Sequence, residues 1–121
     1  MRPKIIACDF DGTLFTDNYP NVGEPIFMTI NMLKLEQQEG AKIILWTNRS
    51  DEPLTKAVQA CNEEGLFFDA VNDNLPEIIA TFGCNTRKIF ADEYWDDRMI
   101  QLVHIKHPGQ INIKLYFERK I

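Results

Sequence analysis

The chain has 121 residues, enough for one domain spanning 1–121 with a single core and no room for a second. Apolar residues make up 45% and charged residues 26%, which fits a globular protein and excludes a low-complexity one. The net charge of −5 argues against binding a nucleic-acid backbone, leaving at most a phosphorylated end, and leaves room for a local phosphate site. Only four apolar residues stand between Lys4 and Asp9, too few for a secretory core or a membrane span. Cys8, Cys61 and Cys84 are odd in number and lack C-x-x-C spacing. Together these features predict a cytoplasmic protein with no disulfide framework, no zinc site and no membrane partner.

Strand and helix signals alternate along the chain. "KIIAC", residues 4–8, reads as a strand. It runs into Asp9, and Asp11 follows two positions on, ahead of Gly12 and Thr13. A plain Asp-Gly turn explains Asp11 but not Asp9. Residues i and i+2 of an extended chain point the same way, so both carboxylates are expected on one side of one strand end. Like charges that close repel, which calls for something positive beside them.

"NVGEPIFMTINMLKLEQQEG", residues 21–40, predicts a helix. Pro25 fits its first turn, Ile26, Phe27, Ile30 and Leu33 share a face, and Gly40 stops it. "AKIILW", residues 41–46, is an unbroken apolar strand of the kind covered on both faces. In "NRSDEP" Ser50 or Asp51 caps the next helix and Pro53 fits its start. Leu54, Ala57, Val58 and Cys61 recur at helical spacing up to Gly65. "LFFDAV", residues 66–71, is a third strand. "NDNLPEIIATFG", residues 72–83, is a loop and a short helix closed by Gly83, with Asn74 as its cap. "ADEYWDD", residues 91–97, is a weaker fourth strand and "INIKLYFE", residues 111–118, a fifth. The run "DRMIQLVHI" between them reads as a helical turn or short helix.

This alternation predicts an α/β, doubly wound three-layer sandwich on a central, mostly parallel five-stranded sheet. Ligands of such sheets sit beyond the carboxyl ends of the strands. That rule gathers Asp9, Asp11 and Thr13 after the first strand and Thr47, Asn48, Arg49 and Ser50 after the second. Asn72, Asp73 and Asn74 follow the third. Asp96, Asp97 and Arg98 follow the fourth, with Lys88 just ahead of it. Carboxylates with few other ligand types suit Mg²⁺, which would relieve the repulsion between Asp9 and Asp11. A carboxylate can attack phosphorus, provided that cations neutralise the approach of two anions.

"DFDGT" after the first strand, Thr47 closing the second in "IILWTNRS", and "KIFADEYWDDR" resemble the motifs of the haloacid dehalogenase (HAD) phosphohydrolase superfamily. The resemblance covers nearly the whole chain, in the expected order. The small size and the stretch "YPNVGEP" resemble its subgroup without a cap domain. The resemblance implies a Rossmannoid, HAD-like fold and a Mg²⁺-dependent phosphatase forming an aspartyl-phosphate. It makes Asp9 the nucleophile, and Asp11 first the acid for the leaving alcohol and then the base for water. It makes Thr47 a donor to the phosphoryl oxygens and Lys88 the neutralising cation, with Arg87 as its competitor. Asp9, the Asp11 carbonyl, and Asp96 or Asp97 are the implied metal ligands. Gly12, Asn48 and Arg49 are candidates for binding phosphate, although Arg49 also fits an exposed loop.

His104 and His107 read as surface residues, and Tyr94 and Trp95 as core or interface. Phe15, Tyr19 and Pro20 fall in a loop that borders the entrance. With no cap, a lid must come from residues 16–24 or from a second copy of the chain, through an exposed Tyr94-Trp95 or "LYFERKI" edge. Two other functions compete. One is a non-catalytic binding or assembly module that keeps the metal site, though no catalytic residue is missing. The other is a receiver-like phosphorylation switch, whose motif order is wrong here because the acidic pair comes late. No Walker loop is present to suggest an ATPase.

Overall fold

The computed structural model describes residues 2–104 and 111–112. The described elements are β1 (Ile5–Cys8), α1 (Phe27–Gln38), β2 (Lys42–Leu45), α2 (Asp51–Glu63), β3 (Ala70–Val71), α3 (Pro76–Phe82), β4 (Glu93–Trp95), β5 (Val103–His104) and β6 (Ile111–Asn112). Four strands form one parallel sheet in the order β3-β2-β1-β4. The apolar runs form strands because both their faces are buried. Along β1, Ile6 and Cys8 enter one core while Ile5 and Ala7 enter the other, the period of two expected of a strand. The first core also takes Ile43 and Leu45 of β2, Ile30 and Leu33 of α1, and Ala57 and Cys61 of α2. The second takes Ile44 of β2 and Ile78 of α3. The sheet thus has α1 and α2 on one side and α3 on the other.

This order places the functional edge. From β1 the chain steps outward to β2 and β3, and β4 then pairs on the other side of β1. The direction reverses between β1 and β4, and ligands of open parallel sheets bind in that crevice. Cys8 is in register with both Leu45 and Trp95. Asp9 therefore leaves the sheet level with Trp46 on one side and Asp96 on the other.

Several expectations are corrected. Pro25 does not enter the first turn of α1, because Thr16 N–H donates to Glu24 O and Ile26 N–H to Leu14 O, both at 2.8 Å. This bridge keeps residues 24–26 extended until the helix starts at Phe27. The buried stripe of α1 then narrows to Ile30 and Leu33, and Phe27 is 55% exposed. Asn74 does not cap α3; Leu75 holds the N-cap position, with Pro76 opening the helix. Among the described residues of "DRMIQLVHI" there is a turn at Asp97–Arg98 and the short strand β5, but no helix. Of the expected fifth strand, Ile111–Asn112 pairs antiparallel with β5 in a separate two-stranded sheet. Residues 113–118, and with them "LYFERKI", lie outside the described residues.

Leu33→Ala should lower the unfolding free energy by about 2–5 kcal/mol, because it opens a cavity in the core between α1 and the sheet. Phe27→Ala should change it by less than about 0.5 kcal/mol. Urea unfolding of both variants checks this, and equal losses would overturn the assignment of the buried stripe.

Candidate active site

β1 ends at Cys8 and the chain turns at once. The amides of Thr13, Leu14 and Phe15 all converge on the carbonyl of Phe10, at 2.9–3.2 Å, and Gly12 N–H donates to Phe15 O at 2.8 Å. Gly12 has φ +82°, and a Cβ there would stand 2.4 Å from Asp97 Oδ2. Only glycine meets both demands. The buried Thr13 ties this turn to the end of β4, its Oγ1 accepting the Asp97 N–H at 3.1 Å. As a result Asp9, Asp96 and Asp97 each offer a carboxylate oxygen, all within 4.8 Å of one another. They face a cleft of about 450 Å³, which Thr47, Asn48, Asp17, Tyr19 and Arg98 also line.

Burial pushes the Asp9 carboxyl up from the ordinary 3.8 to about 6; the Phe10 N–H opposes the rise, and the charges of Asp96, Asp97 and Asp11 add to it. The three carboxylates form an all-oxygen donor set that suits a hard divalent ion such as Mg²⁺. Their mutual repulsion is what such an ion would relieve.

Asp11 departs from the expectation of a matched pair. The rule that i and i+2 point the same way holds only within a strand, and the strand ends before Asp9. The Asp11 carboxylate instead takes both oxygens to Arg49, at 2.9 Å to Nε and 2.7 Å to Nη2. The positive partner that the sequence demanded is present, but it serves Asp11 and not Asp9. It is also not the expected phosphate ligand. Arg49 is 2% exposed. Its remaining N–H groups go to the carbonyls of Pro20 and Pro53 at 3.1 Å and of Asn21 at 2.7 Å. All five donors of the guanidinium are used. It also lies 4.8 Å from the ring centroid of Phe10 and 5.2 Å from that of Tyr19. Gly12 is likewise corrected as a phosphate ligand, because its N–H is already spent on Phe15.

Thr47 sits at the cleft as expected. Its Oγ1 accepts the Arg49 N–H at 3.1 Å, and its own N–H donates to Asn72 Oδ1 at 2.8 Å. Asn48 is exposed at the rim. Lys88 is not brought into the cleft: its Nζ lies 5.8 Å from the ring centroid of Tyr94, and among the described residues it forms no ion pair. Arg87 is exposed. Tyr94 and Trp95 are half-buried, and β4, which carries them, is an edge strand of the parallel sheet. Of the two histidines, His104 contributes backbone to β5 and His107 lies outside the described residues.

The residues that sequence reasoning undervalued are Arg49, Thr13 and Asn74. Asn74 is buried. Its amide donates to Asn85 Oδ1 at 2.9 Å and to Thr86 O at 3.0 Å, and its oxygen accepts the Phe90 N–H at 2.8 Å. It thereby fixes the loop that carries Lys88.

No protein-family profile matches the chain, and no curated protein does. A solved structure of a conserved protein coded by a locus of Bacteroides thetaiotaomicron does match, with 41% sequence identity and a TM-score of 0.71. The match covers 82% of this chain and 79% of that one. The chain belongs to the family of that conserved protein. The match spans most of both members, so the parallel sheet described above is the architecture of the family as well as of this chain.

Two consequences of the site are measurable. A buried acid with a raised pKa favours the fold while protonated, so its stabilisation is present below 3.8 and lost as pH rises through about 6. In chelator, Asp9→Asn should therefore gain stability over the wild type as pH rises through that window, read from thermal unfolding at each pH. A gap that does not change with pH would refute the burial assigned to Asp9. Separately, Arg49→Ala leaves Asp11 unpaired and should cost about 3–5 kcal/mol in urea unfolding. Arg49→Lys should recover little, because an ammonium cannot reproduce the planar fork. Full recovery by lysine would show that charge alone suffices there.

Proposed function

We propose that the protein is a phosphatase of the HAD superfamily, hydrolysing a phosphomonoester through an aspartyl-phosphate on Asp9. The observation that carries this reading is the position of Asp9. It stands at the carboxyl end of β1, at the switch point against β4, with Asp96 and Asp97 within 4.8 Å. Mg²⁺ fits the donor set, held by Asp9, Asp96, Asp97 and the Asp11 carbonyl, and when bound would offset the meeting of two anions.

The chain's own groups supply the rest. An Asp9 oxygen bonds to phosphorus as the bond to the ester oxygen breaks. Asp11 gives the proton that the leaving alkoxide needs, then takes one from the water that frees the phosphate. Thr47 has its Oγ1 already oriented by the Arg49 amide and donates its hydroxyl hydrogen to a phosphoryl oxygen. Lys88 is the proposed neutralising cation, its flexible stem leaving Tyr94 for the cleft. On this reading the fold is Rossmannoid and cap-less, and the protein works in the cytoplasm. The wall of the cleft comes from residues 16–24, with a second copy as an alternative source of a lid.

One observation favours a different reading, a non-catalytic binding module that keeps the metal site. Arg49 holds both Asp11 oxygens, which ties up the proposed proton carrier. Turnover separates the two readings. With an aryl phosphate, hydrolysis should require Mg²⁺, be supported poorly by Ca²⁺ and stop in chelator; activity persisting in chelator would exclude the metal role. Asp9→Asn should form no phosphoenzyme. Asp11→Asn should give a burst near one equivalent and then turn over about 10²–10⁴-fold more slowly, with phosphate retained on Asp9 in quenched samples. Because Asp11 also partners Arg49, this variant should be less stable as well, so its folding is measured alongside. A phosphorylated residue other than Asp9 would overturn the assignment, and no phosphoenzyme in any variant would favour the binding module.

A further inference from the structure

Tyr19 is 61% exposed, yet its surroundings are fixed. The Thr16 N–H donates to Glu24 O and the Glu24 N–H to Thr16 Oγ1, both at 2.8 Å, closing the base of its loop. Within the loop, Asn21 N–H donates to Asn18 O at 2.9 Å and Tyr19 N–H to Asp17 Oδ1 at 3.3 Å. The carbonyls of Pro20 and Asn21 are pinned by the buried Arg49. The same guanidinium lies against the Tyr19 ring and against Phe10, which stacks on Phe15 at 5.1 Å and 23°. A column of flat groups thus runs out of the core and ends in a ring that lines the cleft. A ring held this way binds without first losing conformational freedom.

The charge of the cleft limits what can lie on that ring. Five carboxylates and two guanidiniums line it, so it carries −3 without a cation and −1 with a divalent one. One phosphate already adds negative charge, and Arg49 has no donor left for a second. A second anionic group on the substrate meets this net negative charge, with the exposed Arg98 as the other guanidinium of the lining. At about 450 Å³ the cleft suits a monosaccharide-sized group, and the planar polar side chains of Asp17 and Asn48 can hydrogen-bond hydroxyls at its rim.

We propose that Tyr19 is a specificity residue whose exposed face stacks on the leaving group, and that the substrate is the phosphate monoester of a neutral, hydroxyl-bearing ring of monosaccharide size. This rests on the phosphatase reading and adds the leaving group to it. Sugar C–H groups carry partial positive charge and meet the negative face of an aromatic ring favourably.

The test compares the primary phosphate esters of glucose and of glycerol, with a hexose bisphosphate as a third arm, all with Mg²⁺. The wild type should favour the glucose ester over the acyclic one in kcat/KM and should disfavour the bisphosphate. In Tyr19→Ala the ratio of glucose to glycerol ester should fall about 3–10-fold, and Tyr19→Phe should restore it. A wild-type ratio near one, a ratio unmoved by Tyr19→Ala, or a preference for the bisphosphate would overturn the proposal while leaving the phosphatase reading intact. If no ester is turned over, it is the phosphatase reading that fails. Stacking is then judged by saturation-transfer NMR of glucose phosphate with Mg²⁺. Transfer to the ring C–H groups that is lost in Tyr19→Ala supports the platform, and no transfer in the wild type removes it.

Discussion

The cleft depends on a guanidinium buried almost completely. Taking a charge out of water costs several kcal/mol even after relaxation, so a lone arginine could not occupy that position. Arg49 can because every N–H has an acceptor: a carboxylate takes two and three carbonyls take the others. Those acceptors come from three places that share no secondary structure. Asp11 belongs to the turn after β1, Pro20 and Asn21 to the loop before α1, and Pro53 to the first turn of α2. One side chain therefore sets the spacing of three segments. A shift in any of them would leave a buried donor without a partner, which costs about 1–3 kcal/mol and more for a charged group.

The pairing also divides the acidic residues of the cleft into two kinds. Asp11 is neutralised where it stands. Asp9, Asp96 and Asp97 are not, since no cation of the described residues lies within ion-pair distance of them. Had Arg49 been shared between Asp9 and Asp11, the negative potential would be spread and weak. Its commitment to Asp11 concentrates the uncompensated charge on the three carboxylates that meet across the β1–β4 crevice. Thr13 and Gly12 sharpen this further. The first holds the Asp97 backbone, and the second leaves room for its carboxylate beside the turn.

What could be read from the sequence follows from the range of each signal. β1, β2 and α2 were legible because apolar periodicity is local and both faces of the sheet are buried, whereas of the apolar run 66–71 only Ala70–Val71 forms a strand and Ile111–Asn112 pairs outside the main sheet. So was the gathering of Asp9, Thr47, Asp96 and Asp97 at one edge, since it needs only chain order and the rule for parallel sheets. The start of α1 was not, because a bridge between Leu14–Thr16 and Glu24–Ile26 overrides the local preference of Pro25. The partner of Asp11 was not either. Arg49 lies 38 positions away, and a loop arginine looks the same in sequence whether it is solvated or buried. The expectation that Asp9 and Asp11 project together failed for a simpler reason: it applied strand geometry to residues 9–11, beyond the end of the strand at Cys8.

Asn72, Asp73 and Asn74 show how a weak element can still matter to a site. β3 is only two residues long and only half-buried, so it adds little to the core. The loop that follows it nonetheless braces both neighbouring loops. Asn72 accepts the Thr47 N–H and donates to Arg49 O at 3.3 Å. Asp73 accepts from Asn85 at 2.8 Å, and Asn74 reaches Asn85, Thr86 and Phe90. An asparagine amide suits this task because it offers donors and acceptors from one planar group, where a carboxylate offers only acceptors. The threonine proposed for the phosphoryl group and the lysine proposed for its charge are thus set relative to each other through a loop that forms no hydrogen bond to the clustered carboxylates of Asp9, Asp96 and Asp97. In this fold the third strand is chiefly the mount for that brace, and the helix-cap role that sequence assigns to Asn74 yields to it because a buried amide with three protein partners outweighs one exposed cap.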